Sequence, residues 1–216
     1  MPRNKHPEET VQKILDVSLK LFTEKGYEQT TVLDIVNNLG GLTRGAFYHH
    51  FKSKEEVLGA IFQRRAAEGN PFEQAMQAQA ANGLERVKLA LKLSLSRNVE
   101  SEQNAAVTSV TASLLSNPRF LVQHIEGIQA TAKAMAPMVA EGMADGSIAA
   151  GSPRLVAELF FLIVNLWMVP SVFPCSGEEM VAKGEVLDKV LEALGFPIAD
   201  DEMEELFMQT LDLMEN

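Results

Sequence analysis

The sequence predicts an all-α fold, with a small helical unit at the N-terminus and a larger one behind it. Three observations carry this expectation. Apolar residues recur at three- and four-residue steps through nearly every long segment. Ser or Thr followed three positions later by an acidic residue marks successive helix starts. No run of alternating β-branched residues argues for a strand, and no internal repeat is present.

Taken in order, Val11, Ile14, Leu15, Ser18, Leu21 and Phe22 form one face of a first helix, with Gln12, Lys13, Asp16, Lys20 and Glu24 opposite. Pro7, Glu8 and Glu9 suit its first turn and Gly26 its stop. Thr31 with Asp34 predicts a capping box and a short helix from Val32 to Leu39, broken by Gly40-Gly41. Thr43 caps a third helix reaching about His50. Ser53 with Glu56 predicts another capping box and a helix through Val57, Leu58, Ile61 and Phe62. Further on, breaks at Gly69-Asn70-Pro71, Asn82-Gly83, Asn117-Pro118, Asp145-Gly146, Gly151-Ser152-Pro153, Pro170 to Gly177 and Gly195-Phe196-Pro197 leave helices near 84–99, 102–116, 119–144, 153–169, 178–194 and 200–214.

Charge is unevenly placed. Residues 1–65 hold 10 Lys+Arg against 8 Asp+Glu, a net of +2, so a chain whose total is −10 carries −12 in its remainder. Three of the four histidines, His6, His49 and His50, also lie in the first part. A neutral-to-basic head on an acidic body suits a protein that meets phosphates at one end only. The single cysteine, Cys175, excludes an intramolecular disulfide framework and fits a reducing compartment. No signal-peptide core stands at the N-terminus, and Leu155 to Pro170 is interrupted by Glu158 and Asn165, so the expectation is a soluble, cytoplasmic chain with no membrane partner.

Residues 31–51 carry the chemistry. Two short helices joined by a tight glycine turn form a helix-turn-helix, whose second helix lies in the DNA major groove. Ile35, Val36, Leu42, Phe47 and Phe51 are expected to pack inward. Gly45 and Ala46 leave the start of the second helix uncluttered, with Thr43 and Arg44 at its N-terminus where base edges are read. Tyr48 and His49 can reach phosphates or bases, and Lys52 and Lys54 are phosphate candidates. Adjacent on a helix, His49 and His50 point about 100° apart and cannot chelate one ion together, so no metal is expected.

These residues resemble the N-terminal domain of the tetracycline-repressor (TetR-type) family. The likeness rests on the Ile14–Leu21–Phe22 helix, the Gly26-Tyr27 stop, Thr30-Thr31-Val32, Ile35, the Gly-x-Thr-x-Gly-x-x-Tyr-x-x-Phe spacing of Gly41 to Phe51, and Lys54 after Ser53. It covers about residues 8 to 65. In one respect the chain departs from the family: the usual Ala-Gly-Val-Ser turn is Leu39-Gly40-Gly41-Leu42-Thr43, one residue longer, which bears on the docking angle of the third helix. The resemblance implies a DNA-binding domain over 8–68 (the helix-turn-helix at about 31–51) and a helical effector-binding and dimerisation domain over 69–216. It also implies Thr31, Thr43, Arg44, Gly45, Ala46, Tyr48, His49, Lys52 and Lys54 at the DNA surface. The expected partners are a double-stranded DNA operator, a second copy of the chain and a small-molecule effector.

For the body, two apolar stripes suit an isologous dimer interface: Leu155, Leu159, Leu162 and Leu166, and then Val186, Leu187, Val190 and Leu194. Aromatic, soft and occasional polar groups suggest an effector pocket at Phe120, His124, Met135, Met138, Phe161, Asn165, Trp167 and Met168. No Walker A loop, dinucleotide fingerprint, HExxH, nucleophile elbow or zinc-ligand pattern is present, so neither an enzyme nor a cofactor is expected. The alternative is a DNA-bound protein of the same fold whose body recognises another protein instead of a small ligand.

Overall fold

Pro7–Lys25 form α1, which ends where Gly26 turns left-handed at φ 87°. In a computed structural model describing residues 7–215, with side chains described for 8–210, all regular structure is helical. Next come α2 (Val32–Asn38), α3 (Arg44–His50) and α4 (Lys54–Ala67). The first two helix starts after α1 are those the sequence predicts. Thr31 and Asp34 close a complete capping box, and the Thr43 hydroxyl accepts from the Ala46 amide at 3.2 Å. At α4 the box is only half made. Ser53 accepts from the Glu56 amide, but the Glu56 carboxylate turns back one residue further, to the Lys52 amide at 2.7 Å.

Ile14, Leu15, Phe22, Tyr27, Ile35, Leu39, Phe47, Val57, Leu58 and Ile61 are buried, each burial stabilising the fold by about 1.5–3 kcal/mol. Phe22 and Tyr27 meet edge to face at 5.0 Å. Leu39 takes the buried position after α2, whereas Leu42 and Val36, expected inward, are only half-buried. The chain forms two units, and residues 102–113 belong with those up to Gly69 in spite of the intervening segment. Arg65 donates to the Asn104 carbonyl and the Thr108 hydroxyl, and the Asn104 amide donates to Glu68, fastening most of α7 (Glu102–Leu114) to α4.

The second unit contains α5 (Pro71–Gln77), α6 (Gly83–Val99), α8 (Pro118–Asp145), α9 (Pro153–Leu162), α10 (Gly177–Ala193) and α11 (Asp201–Glu215). The sequence predicts no helix at α5, because Asn70-Pro71 has the form of a break. Here the pair starts a helix, with the Asn70 side chain capping the Phe72 amide and Pro71 in the first turn. α6 and α8 pass so closely at Gly83 and Gly142 that a Cβ on Gly83 would overlap the Gly142 backbone. Asp145 accepts from the Gly83 and Ser147 amides, and its hydrogen bonds from Ser147 and Gly83 hold its carboxyl below the ordinary value. Lys92 bridges Asp200 and Glu202, tying α11 to α6.

The helix expected over 153–169 is not uniform. After Leu162 it opens into a π-helical turn, Ile163–Trp167, in which the Met168 amide reaches back five residues to the Ile163 carbonyl. Among the described residues no helix is long and apolar enough to cross a membrane.

Candidate nucleic-acid interface

The presentation of α3 follows from where Phe47 points. Its ring is fully buried and Phe51 closes the helix as a buried C-cap, so the opposite side of the seven-residue helix must face outward. Arg44, Gly45, Tyr48 and His49 are exposed there, and Ala46 is half-buried. Gly45 has only the Thr43 hydroxyl near the place a Cβ would occupy, so the first turn offers an open backbone surface. The Arg44 guanidinium lies over the Tyr48 ring, 5.5 Å from its centroid, and Phe47 meets that ring edge-on at 5.5 Å. His49 and His50 pack ring edge to ring face at 5.3 Å.

The turn before α3 uses both glycines in the left-handed region, Gly40 at φ 60° and Gly41 at φ 96°. The added residue is thus accommodated by a conformation that only glycine adopts without strain. Lys13 reaches this turn from α1, its ammonium 3.6 Å from the place a Gly40 Cβ would occupy. Sequence reasoning leaves Lys13 on a solvated face, because the periodicity of one helix does not reveal which neighbouring turn its polar side overlooks.

Thr31 is exposed, but its hydroxyl and amide both donate to the Asp34 carboxylate, which Lys25 also reaches at 2.8 Å. The Lys25 ammonium and the Thr31 donors hold the Asp34 carboxyl well below the usual carboxylate range. Lys52 is exposed beyond the end of α3. Lys54 is placed otherwise than its sequence position suggests. Its ammonium donates to the carbonyls of Tyr27 at 2.8 Å, Glu28 at 3.2 Å and Thr30 at 3.2 Å, and lies 4.3 Å above the Tyr27 ring. With its side chain only 18% exposed, it fastens the α1–α2 corner instead of standing free for a phosphate.

In the body, Leu155 (62% exposed), Leu159 and Leu162 form an uncovered stripe along α9, and Val186 (48%), Val190 and Leu194 form another along α10. Leu166 is half-buried in the π-helical turn. Leu187 is a correction to the predicted stripe. It faces the core at 7% exposure together with Met180 and Leu191, because it lies about 100° round the helix from the exposed Val186.

The predicted pocket residues divide similarly. Met135, Met138, Phe161 and Met168 are core, since the apolar spacing that suggests a pocket is also the spacing that packs α8 against α9. Phe120, His124, Asn165 and Trp167 are half-buried. His124 Nε2 lies 3.1 Å from the Asn165 carbonyl, the Asn165 amide donates to the Phe161 carbonyl, and Lys183 donates to the Trp167 carbonyl. A groove of about 610 Å³ lies instead along Ile125, Ile128, Gln129, Lys133 and Ala136 of α8 and Arg154, Glu158 and Leu162 of α9. None of the eight predicted pocket residues lines it.

Residues 14–61 match the family model described as bacterial regulatory proteins, tetR family. The chain is 40% identical to the HTH-type transcriptional regulator AcrR of Shigella flexneri over 34% of its own length and 33% of that protein's. To the uncharacterised HTH-type transcriptional regulator TtgW of Pseudomonas putida it is 33% identical, over 47% of its length and 72% of TtgW. The chain belongs to the tetR family. The structure extends the likeness in fold to the rest of this family member. A SmeT–triclosan complex superposes with a TM-score of 0.64 over 95% of this chain and 91% of that one, at 22% identity. The body of this tetR-family chain thus shares the fold of its relatives, while its sequence likeness to AcrR is confined to about a third of either chain.

Proposed function

We propose that this protein is a sequence-specific DNA-binding transcriptional repressor that acts as a homodimer and is released from its operator by a small-molecule effector. The observation that carries this reading is the outward face of α3, where Arg44, Gly45, Tyr48 and His49 are exposed while Phe47 anchors the helix from behind. A major groove about 12 Å wide admits a helix carrying such a face. Exposed Lys52 nearby supplies positive charge for phosphates.

One short helix reads few base pairs, so specificity calls for two heads held about 34–36 Å apart. The uncovered stripes on α9 and α10 support that pairing, for contiguous exposed apolar surface is a mark of an interface. Ligand response is supported by the likeness in fold to a protein solved with triclosan bound, and by the polar groups of His124 and Asn165 beside the π-helical turn. Such turns cluster at functional sites. An effector would act by binding one spacing of the two heads more tightly than the other.

The test is selection of bound duplexes from a random pool by the full-length protein, repeated in the presence of candidate hydrophobic ligands. The reading predicts one enriched, pseudo-twofold sequence whose recovery a ligand abolishes. An enriched sequence that no ligand affects would leave DNA reading intact and remove the effector.

A further inference from the structure

Among the exposed groups of α3, Arg44 and Tyr48 stand in a relation that base reading alone does not require. They lie four residues apart, one turn above the other on the same face. Arg44 is exposed, and a long exposed guanidinium ordinarily samples many rotamers, so ordering it on a base edge carries an entropic cost. Here its guanidinium is centred 5.5 Å from the Tyr48 ring, within the range of an attractive cation–π contact. The ring is itself held. Tyr48 is 42% exposed, but Phe47, fully buried, meets it at an interplanar angle of 88°. A continuous line of contact therefore runs from the core, through an aromatic plate, to a charged group at the open end of the helix. The first turn beside Arg44 carries no side chain at Gly45.

We infer that Tyr48 is a positioning residue for specificity, its ring holding the Arg44 guanidinium in the orientation that reads a base pair, and not chiefly a phosphate contact through its hydroxyl. The inference rests on the DNA-binding reading above. It separates two roles that the same tyrosine could play. A phosphate contact resides in the hydroxyl, acts on every sequence alike and contributes to the salt slope. An orienting plate resides in the ring, acts only through Arg44 and leaves sequence-independent binding untouched.

The experiment is a double-mutant cycle on the full chain, using the duplex that the wild-type protein selects from a random pool and a scrambled duplex of equal length. Tyr48→Phe keeps the ring, Tyr48→Leu removes it, and each is combined with Arg44→Ala. The expected result is that Tyr48→Leu weakens the selected duplex roughly two- to five-fold, the range of an exposed cation–π contact. Tyr48→Phe is expected to keep the wild-type ratio of affinities for the selected and scrambled duplexes, and Tyr48→Leu to cost nothing further once Arg44 is alanine. In either Arg44 background, affinity for the scrambled duplex and the salt slope do not change with the residue at position 48. The inference is overturned if Tyr48→Phe loses as much as Tyr48→Leu, if Tyr48→Leu costs the same in the Arg44→Ala background, or if Tyr48→Leu weakens both duplexes alike. A wild-type protein that prefers no duplex would bring down the DNA-binding reading and this inference with it, and that failure shows before any variant is compared.

Discussion

Lys54 donates to the Tyr27 carbonyl at 2.8 Å while its ammonium lies 4.3 Å above the Tyr27 ring. One side chain at the start of α4 thus joins the backbone just after α1 to the approach to α2. Three carbonyls converge on one cation, and each such bond is charge-assisted.

Lys54→Met keeps the length of the side chain and removes its donors. It is expected to lower stability by about 1–3 kcal/mol, because the carbonyls are left without a cation in a partly buried corner. Urea unfolding of the full chain measures this. The salt slope of DNA binding is expected to stay the same, whereas loss of a direct phosphate contact would flatten it by about one unit.

Asp34 gives the same corner a pH dependence. The Lys25 ammonium and the Thr31 donors depress its folded-state pKa below the ordinary 3.8, so the native state is favoured wherever Asp34 is ionised. That contribution is fully present above about pH 5, begins to fade near 3.8 and vanishes as pH falls through the lower folded value. Comparing urea midpoints of wild type and Asp34→Asn across this range checks it. The gap is expected to be constant at neutral pH and to close on acidification, and a gap independent of pH would exclude the Asp34 carboxylate as its source.

Two glycines of the head respond oppositely to alanine. Gly41, at φ 96° with nothing near its missing Cβ, is expected to lose about 1–2 kcal/mol on backbone strain alone. Gly59 lies inside α4 with equally open space, so Gly59→Ala is expected to gain up to about 1 kcal/mol. Thermal or urea unfolding of both variants resolves the two signs.

These residues also show what a sequence discloses. The Thr31 and Thr43 caps are legible because a hydroxyl at a helix start and the amide it caps lie within three residues. The outward face of α3 is legible because Phe47 and Phe51 share a face. Lys54 is not, since its partners lie 24 to 27 positions earlier and a lysine beside Ser53 reads as solvated. Arg65 is hidden for the same reason, its partners being 39 and 43 positions later. The omission of α5 comes from one dipeptide with two uses: Asn-Pro ends a helix or, as at Asn70-Pro71, caps and begins one. Met135 and Met138 illustrate a third limit, because helical spacing records which residues are apolar and not whether a neighbour or a ligand covers them.

The stripes on α9 and α10 give a prediction about assembly. Leu159→Asp with Val190→Glu places two carboxylates on surface that is already exposed in one protomer, so the protomer's own fold is expected to persist. Analytical ultracentrifugation is expected to show a dimer for wild type and a monomer for the double variant, with unchanged helical content by circular dichroism. Operator affinity should fall with it, since each half-site is then bound by one head alone. A double variant that still sediments as a dimer would move the interface elsewhere.

Methylation interference on the selected duplex tests the central claim most directly. Residues 31–51 are proposed to set α3 in the major groove, with Arg44 against a base edge. Methyl groups on guanine N7, in the major groove, are then expected to block binding in two clusters about one helical turn apart, and Arg44→Ala should lift the block at one position in each. Interference confined to adenine N3 in the minor groove, or a pattern that Arg44→Ala leaves untouched, would contradict the account.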